Sequence, residues 1–448
     1  MHCLIIFGSA CCDIIYISII VVVANNSSLE LYDQLVQSIS GLNTPKNISS
    51  ELVRDLLLDK HSYRAMNPDL ASMSEEELLI HWLEYGHGEV GRKFTPNVFC
   101  LDTSKNVDQG SVVYLSSAPK LCDGTYLYRT KYASMRDSRE SFFFTTQSSI
   151  FQLISAIFKA KEIVCSRPDN DDPLASYLII LAKALGLKIT LDFDDLVLPG
   201  SFRECGLARS TFSSEINTTG EMVLGLRSSF LSYADQICCS TEYIQNEFHH
   251  LAIPTILRYN KLPKAFASDY DCVKKRIDGN KDRKVNILYM SGTATHGKDF
   301  EICHGPLVKL AQNHADKFNL ILLGEVQLAI CSMIQHLGVS VHYQGRLGYE
   351  DMHKFVAQQD LCLVPLENTS FNNSKSNIKF IESGIHGVPV IASPVDQYKR
   401  AISHTINGWL CDDPSEWYDQ LVSLVENRNQ LISVSLMAYK TSLESYTF

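Results

Sequence analysis

The sequence predicts an α/β protein with two doubly wound parallel sheets and an N-terminal, mainly helical extension. Two series of apolar strands alternate with helix-length segments, and a polar stretch at residues 261–284 separates them. Such alternation is typical of parallel sheets covered by helices, and a polar stretch without apolar periodicity indicates a linker. We therefore expect an extension at residues 1–107, one sheet domain at 108–260 and a second at 285–448.

The composition excludes several classes of protein. Of the 448 residues, 45% are apolar and 20% are charged, as in an ordinary globular protein. The formal net charge of −10 offers no basic face, so we expect no nucleic-acid partner. The 14 Cys residues show no paired CxxC spacing, which indicates neither a zinc site nor a disulfide framework. A reducing, cytoplasmic location is the resulting expectation.

An apolar segment at residues 4–24 is just long enough to cross a bilayer. Asp13 interrupts it, and no Lys or Arg precedes it. Two buried strands or a remnant of a larger domain are therefore favoured over a membrane anchor, and all three interpretations remain open. Peripheral association with the inner face of the membrane is compatible with each of them.

Residues 59–93 are predicted to form a short helical module within the extension. Asn67-Pro68 breaks one helix, and Ser74 with Glu77 makes a capping box for the next. The segment resembles a module attached to bacterial surface-polysaccharide enzymes, with matches at Tyr63, Asn67-Pro68-Asp69, His81-Trp82, Gly86 and Gly91-Arg92. We favour a packing role for it, with His81 and Trp82 in a core or an interface.

The first series predicts strands at residues 112–116, 142–145, 163–166, 188–192 and 236–240, and helices at 173–185 and 215–234. Polar groups follow three of these strands: the loop 123–126 with Arg129, then Arg167, then the cluster Asp192, Asp194 and Asp195. Ligands of doubly wound sheets bind at such strand ends. The acidic cluster could bind a metal or hydrogen-bond neighbouring loops. We favour no metal, because one cluster supplies few of the oxygens that a hard cation requires.

The second series predicts strands at residues 285–290, 319–323, 339–342, 361–364 and 388–392, and two helices between residues 415 and 444. Gly292 follows the first of these strands and allows a ligand to approach the backbone. A helix starting near Asp299 offers its N-terminus to a phosphate. The glycine pattern matches neither a Walker loop nor a dinucleotide fingerprint, and His296 taken alone favours a structural role.

The segment FNNSKSNIKFIESGIHGVPVIASP, residues 371–394, predicts a loop, a helix, a turn and a buried strand. Asn372 and Ser374 can cap the helix, on which Lys375, Lys379 and Glu382 are spaced at i, i+4 and i+7. These three residues would therefore share one face. Two ammonium groups and a carboxylate could bind a diphosphate and an adjoining hydroxylated group, or they could form a solvated face with one Lys/Glu pair.

Three blocks of the second series carry a family resemblance: SGTATHGKDF, VPLENTSFNNSKSNIKFIESGIHGVPVIASPVDQY and INGWLCDDPSEWYDQL. In this order they resemble the donor-binding half of family-four glycosyltransferases, which have the GT-B fold of two Rossmann-like domains. GTYLYRTKYASMRD, SRPDNDDP and LDFDD agree with the acceptor-side half. The chain is thus identified as a nucleotide-sugar glycosyltransferase of the bacterial surface-polysaccharide type.

The resemblance implies transfer of a sugar from a nucleotide diphosphate to a glycan or lipid-linked acceptor. Anomeric configuration would be retained, without a cofactor or a catalytic metal. Implied catalytic residues are Lys298, Lys375, Lys379 and Glu382, with the lysines meeting the diphosphate and Glu382 holding the ribose. Donor-side residues are Gly292, Thr293, His296, Asn372 and Ser374. Arg129, Arg167, Asp192, Asp194 and Asp195 would face the acceptor.

Two positions depart from the family pattern. Many members have Glu at the position of Ser374 and Arg at the position of Thr293. The first departure affects contacts to the donor sugar, and the second shifts charge neutralisation onto the lysines. A non-catalytic glycan- or nucleotide-binding subunit and a nucleotide-sugar epimerase on the same fold are the alternatives.

Overall fold

The computed structural model describes residues 28–40, 50–89, 92–96, 110–117, 124–168, 172–196, 228–279, 283–292, 297–326 and 331–448. The segment at residues 4–24, most of the helix expected at 215–234, and both Thr293 and His296 lie outside these ranges. No helix within the described ranges is long and apolar enough to cross a membrane. The chain divides into two compact units, residues 1–113, 146–163 and 169–189, and residues 114–145, 164–168 and 190–448.

Six strands form the first sheet: β1 Ser111–Ser116, β2 Ser141–Thr145, β3 Ala160–Ser166, β4 Lys188–Phe193, β5 Gln236–Cys239 and β6 Thr255–Leu257. Their order across the sheet is β2-β1-β3-β4-β5-β6. β5 pairs in parallel with both β4 and β6. All six residues of β1 are buried. Continuous burial of this kind requires cover on both faces of the sheet, as in doubly wound folds.

Six more strands form the second sheet: β7 Val285–Ser291, β8 Phe318–Gly324, β9 Ser340–Gln344, β10 Leu361–Val364, β11 Val390–Ala392 and β12 Trp409–Leu410. Their order is β12-β11-β10-β7-β8-β9, and all five pairings are parallel. Gly324, with φ of +89°, ends β8 so close to β7 that a Cβ atom would lie 2.1 Å from the carbonyl oxygen of Ser291. Only glycine fits there.

The α-helices of the described chain are numbered in chain order. The first seven are α1 Ser28–Ser40, α2 Ser50–Leu57, α3 Lys60–Met66, α4 Glu75–His81, α5 Tyr132–Met135, α6 Ile150–Lys159 and α7 Pro173–Ala184. The others are α8 Glu242–Glu247, α9 Tyr270–Asp278, α10 Gly297–His314, α11 Ser332–His336, α12 Tyr349–Val356, α13 Ser370–Ser374, α14 Ile378–Gly384, α15 Asp396–Ala401, α16 Pro414–Glu426 and α17 Arg428–Tyr446.

The two sheets and the N-terminal helices confirm the predicted fold class. Each expected strand is present, with ends displaced by at most three residues. β6 and β12, which have three and two residues, were not expected, because such short strands show no periodicity. The stretch expected as a linker contains α9, which Asp269 caps by accepting hydrogen bonds from the N–H groups of Asp271 and Cys272.

One expected helix is split in two. α13 ends at Ser374, Lys375 adopts an extended conformation with ψ of 142°, and α14 begins three residues later. Thr241 donates a hydrogen bond to the carbonyl oxygen of Ser374 at 3.0 Å, which competes for the acceptor that a continuing helix would use. The prediction that Lys375, Lys379 and Glu382 share one face of one helix is therefore wrong.

The helical module packs through an aromatic cluster inside the first compact unit. The capping box is present, because Ser74 accepts from the N–H of Glu77 while the Glu77 side chain accepts from the N–H of Ser74. Trp82 is fully buried, with its ring 5.7 Å from that of Tyr177 on α7 and 6.1 Å from that of Phe94. The packing role expected for this module agrees with these contacts.

Replacing Trp82 by Ala should lower the free energy of unfolding by about 3–5 kcal/mol, because a large buried ring leaves a cavity. Chemical denaturation measures the loss. The control is Tyr85→Ala, because Tyr85 follows Trp82 by three residues and its side chain is 60% exposed. Equal losses for the two variants would contradict the buried placement of Trp82.

Candidate active site

A pocket of about 330 Å³ lies where strands of both sheets end. Arg167 follows β3, Asp194 and Asp195 follow β4, and Gly292 follows β7; all four line the pocket. These residues belong to the second compact unit. Because ligands of open α/β sheets bind beyond the carboxyl ends of the strands, the pocket occupies the expected position for a substrate.

Positive charge predominates in the described lining of this pocket. Its charged members are four cations and two carboxylates: Arg167, Arg346, Lys375, Lys379, Asp194 and Asp195. The Nζ atom of Lys375 lies 4.6 Å from the ring centre of Phe371, and that of Lys379 lies 5.6 Å from the ring centre of Tyr289. An aromatic face stabilises a cation by only about 0.5–2 kcal/mol. The lining therefore favours an anionic ligand.

The two lysines have lost part of their hydration. Burial lowers the pKa of Lys375 to about 8, although the charges of Asp195 and Asp299 oppose this change. Burial also lowers the pKa of Lys379. A lowered pKa means that the protein replaces the lost hydration of the ammonium group incompletely. A bound anion would favour the charged form of both lysines.

Glu382, one turn after Lys379 on α14, is buried beneath two tyrosines. Tyr128 donates a hydrogen bond to Glu382 Oε1 at 2.8 Å, and the Tyr349 hydroxyl lies 3.4 Å from the same atom. The Glu382 side chain is only 7% exposed. Burial raises the pKa of Glu382 to about 7, and the two hydrogen bonds and the charge of Lys379 oppose this shift.

Arg167 organises the acidic side of the pocket. Its guanidinium donates to Asp194 at 3.0 Å and to Asp195 at 2.7 Å. Arg167 has φ of 48°, a left-handed conformation that residues other than glycine rarely adopt outside functional sites. Burial favours the neutral form of Asp194, but Arg167 and a hydrogen bond from Thr125 hold its pKa below the usual range. Burial and the charge of Asp194 raise the pKa of Asp195.

Two residues assigned to the acceptor side lie inside the protein instead. Arg129 and Asp192 have fully buried side chains and form a two-pronged ion pair with N–O distances of 2.7 and 3.0 Å. Arg129 also donates to Asn260 at 3.0 Å. An apolar interior excludes charges unless they are paired, which is why these two side chains face each other rather than the pocket. The pair joins the turn that carries Arg129 to β4, just before Asp194.

The remaining sequence-assigned residues take several positions. Asn372 donates to Asp299 at 2.9 Å, and Ser374 donates to the carbonyl oxygen of Phe371 at 2.7 Å. Both side chains thus hold the turn that precedes Lys375. Lys298 lies in the first turn of α10 and is not among the described residues that line the pocket.

Sequence reasoning missed several residues of the lining, above all Tyr128, Arg346 and Tyr398. Tyr128 lies in a single turn of π-helix, Tyr126–Lys131. No local sequence pattern shows that this turn lies next to Glu382. A π-helical turn often marks a functional site. The cluster of three tyrosines in GTYLYRTKY was the available hint.

The comparisons with known proteins agree with this geometry. Residues 285–427 match the family described as "Glycosyl transferases group 1". No curated protein sequence matches the chain. The part of the chain that contains the two lysines and Glu382 therefore resembles a group 1 glycosyltransferase domain.

Solved structures support the fold. HepE from Anabaena, solved in complex with UDP and glucose, has a TM-score of 0.51 and 14% identity, covering 76% of this chain and 96% of its own. Sucrose-phosphate synthase from Thermosynechococcus elongatus has a TM-score of 0.52 and 12% identity, covering 76% and 95%. WaaG, a glycosyltransferase of lipopolysaccharide biosynthesis, has a TM-score of 0.50 and 12% identity, covering 74% and 95%.

Replacing Asp192 by Ala should destabilise the protein by about 3–5 kcal/mol, because the charge of Arg129 would stay buried without a partner. Urea denaturation measures the change in the free energy of unfolding. Asp69→Ala is the matched control, since the Arg92–Asp69 pair is held at the surface, with the Asp69 side chain 60% exposed. Its effect should be much smaller. A similar loss in both variants would show that the Arg129–Asp192 pair is not buried.

Proposed function

We propose that the pocket binds a nucleotide-diphosphate sugar and transfers its glycosyl group to a glycan or lipid-linked acceptor. The observation that carries this proposal is the pair of partly buried ammonium groups of Lys375 and Lys379, which face a cavity with an excess of positive charge. A diphosphate carries negative charge that is complementary to these ammonium groups. The group 1 domain and the UDP bound by HepE support the same ligand class.

Charge neutralisation is the main catalytic task in this scheme. The bond between the anomeric carbon and the diphosphate oxygen breaks, a bond to the acceptor hydroxyl oxygen forms, and the hydroxyl proton passes to the departing phosphate. Negative charge grows on the diphosphate as this happens. Preplaced cations in a closed pocket stabilise that charge best. Lys375 and Lys379 meet it directly, and the N-terminus of α10, where Lys298 lies, adds positive potential.

Donor and acceptor occupy opposite sides of the pocket. Glu382 accepts hydrogen bonds from the nucleotide ribose, and Gly292 leaves room for the diphosphate at the end of β7. Arg167, Asp194 and Asp195 border the acceptor. Carboxylates are good acceptors for the hydroxyl groups of a glycan. Retention of configuration is inferred from the family resemblance, and polysaccharide biosynthesis from that resemblance and from WaaG.

The first experiment is a screen of nucleotide-sugars by thermal shift, with UDP-glucose, UDP-N-acetylglucosamine and GDP-mannose as the initial panel. A ligand at about 100 times its dissociation constant adds roughly 2.7 kcal/mol of stability. Product analysis with and without acceptor then separates a transferase from an epimerase. If the protein turns over none of a broad panel of nucleotide-sugars, the proposal is contradicted.

Lys375→Ala and Lys379→Ala should each lower kcat by about 100-fold and weaken donor binding less, because they meet charge that grows during bond breaking. Glu382→Gln should chiefly weaken donor binding, by about 1.5–3 kcal/mol, since a ribose contact exists before and during the reaction. Calorimetry beside steady-state kinetics separates the two effects. The control Lys399→Ala removes an exposed lysine of α15 and should change neither. Normal turnover in both lysine variants would refute the charge-neutralising role.

Activity should survive removal of divalent cations, because the proposed reaction requires no resident metal or cofactor. Four cationic side chains already line the pocket and can neutralise the leaving diphosphate. The measurement is the rate of transfer after dialysis against EDTA, with and without added Mg²⁺ or Mn²⁺. Complete dependence on either ion would reassign Asp194 and Asp195 to a metal site.

A further inference from the structure

We propose that Tyr128 is a positioning residue for donor binding, which acts by holding one oxygen of Glu382 so that the other faces the nucleotide ribose. This inference rests on the proposed function, because it assigns Glu382 to the ribose. Tyr128 lines the pocket and is only 1% exposed. It comes from the chain segment between β1 and β2, far in sequence from α14.

The hydrogen bonds around Glu382 form a directed chain. Tyr128 has one hydroxyl proton, and it donates this proton to Glu382 Oε1 at 2.8 Å. The Tyr349 hydroxyl lies 2.7 Å from that of Tyr128 and 3.4 Å from Glu382 Oε1. The shorter distance directs the Tyr349 proton to the oxygen of Tyr128. Such a chain strengthens its last bond, the one to the carboxylate.

The chain of hydrogen bonds occupies Oε1 of the Glu382 carboxylate and leaves Oε2. All hydrogen bonds that described residues make to Glu382 end on Oε1. Glu382 itself is not among the described lining residues, so we assign Oε2 to the ribose through the contact of Glu382 with Tyr128, which does line the pocket. A carboxylate fixed by a neighbour loses less rotational freedom when it binds. Tyr128 therefore prepares Glu382 for the donor.

Tyr132, a neighbour of Tyr128, makes no hydrogen bond to Glu382. Tyr132 packs edge-on against Tyr128 with ring centres 5.8 Å apart, and it is also buried. Its hydroxyl makes no hydrogen bond to a described residue. Tyr132 is therefore the matched control for Tyr128.

The pKa of Glu382 distinguishes a positioning role of Tyr128 from a purely structural one. The titratable groups that face Glu382 are Lys379 on its own helix and Tyr128, Tyr132, Tyr349, Tyr398 and Cys362 from other elements. Burial raises the Glu382 pKa to about 7, and the Tyr128 hydrogen bond opposes this rise. Removing the Tyr128 hydroxyl should raise the pKa further. As the pH is lowered, donor affinity should then begin to fall at a higher pH than in the wild type.

The experiment measures calorimetric binding of UDP-glucose and GDP-mannose between pH 6 and 9. Tyr128→Phe should weaken the binding of whichever nucleotide-sugar binds the wild type by about tenfold, the loss expected for a hydrogen bond to a charged group. Tyr132→Phe should stay within about twofold of the wild type. In a Glu382→Gln background the added effect of Tyr128→Phe should also fall below about twofold, because Tyr128 acts through Glu382.

Three outcomes are distinguishable. If the wild type binds a nucleotide-sugar and the Tyr128→Phe and Tyr132→Phe variants bind it with equal affinity, this inference is overturned and the proposed function is left intact. A tenfold loss that persists in the Glu382→Gln background would also overturn it, since Tyr128 would then act by another route. Failure of the wild type to bind either nucleotide-sugar would overturn the inference and count against the proposed function as well.

A ligand-free measurement tests the coupling separately. The folded pKa of Glu382 lies above its unfolded value of 4.5, so the stability from its protonation is complete below pH 4.5 and lost as the pH rises through about 7. Tyr128→Phe should extend this loss to higher pH. Its melting temperature should therefore fall more between pH 7 and 8 than that of Tyr132→Phe, and Glu382→Gln should abolish the difference. Parallel curves for the two phenylalanine variants would contradict the coupling.

Discussion

The incomplete hydration of two ammonium groups is the constraint on which the site depends. Lys375 and Lys379 lie partly buried in the pocket, and burial lowers the pKa of both. Holding cations in this condition costs stability, and a protein retains such a cost where a ligand removes it. The surrounding structure can be understood as the means of keeping these two groups in place.

Neighbouring contacts fix the lysines from both sides. The turn that carries Lys375 is held by Asn372 through Asp299 and by Thr241 through the carbonyl oxygen of Ser374. α14, which carries Lys379, packs closely against α17. A Cβ atom on Gly384 would lie 2.0 Å from the Ser442 hydroxyl oxygen, so only glycine permits this approach.

The acidic side of the pocket has a different physical basis. Arg129 and Asp192 neutralise each other in the interior, and Arg167 divides its guanidinium between Asp194 and Asp195. The buried pair joins the turn of Arg129 to β4, whereas the partly exposed group faces the pocket. Three aspartates in the sequence DFDD therefore perform two tasks, which depend on whether each side chain points into the core or toward the strand end.

Strand positions and fold class could be predicted because buried parallel strands leave continuous apolar runs in the sequence. Lys375, Lys379, Arg167, Asp194 and Asp195 could be found because they follow strands or lie in a recognisable block. The break between α13 and α14 has no local sequence signal, and Thr241, which hydrogen-bonds to the carbonyl oxygen of Ser374 at this break, is 133 residues away.

The tyrosines around Glu382 were missed for the same reason. Tyr128 lies 254 residues from Glu382, and its hydrogen bond depends on tertiary packing that no local pattern encodes. Arg129 and Asp192 were assigned to the acceptor side because a sequence does not reveal which of two neighbouring charged side chains is paired inside. Long-range pairing is therefore the part of this site that sequence reasoning could not supply.

The most direct test of the central claim is a crystal structure of the protein with bound UDP or GDP. The account predicts phosphate oxygens within hydrogen-bond distance of the ammonium groups of Lys375 and Lys379, and ribose hydroxyls beside Glu382. A nucleotide bound elsewhere, or one whose diphosphate contacts neither lysine, would contradict it.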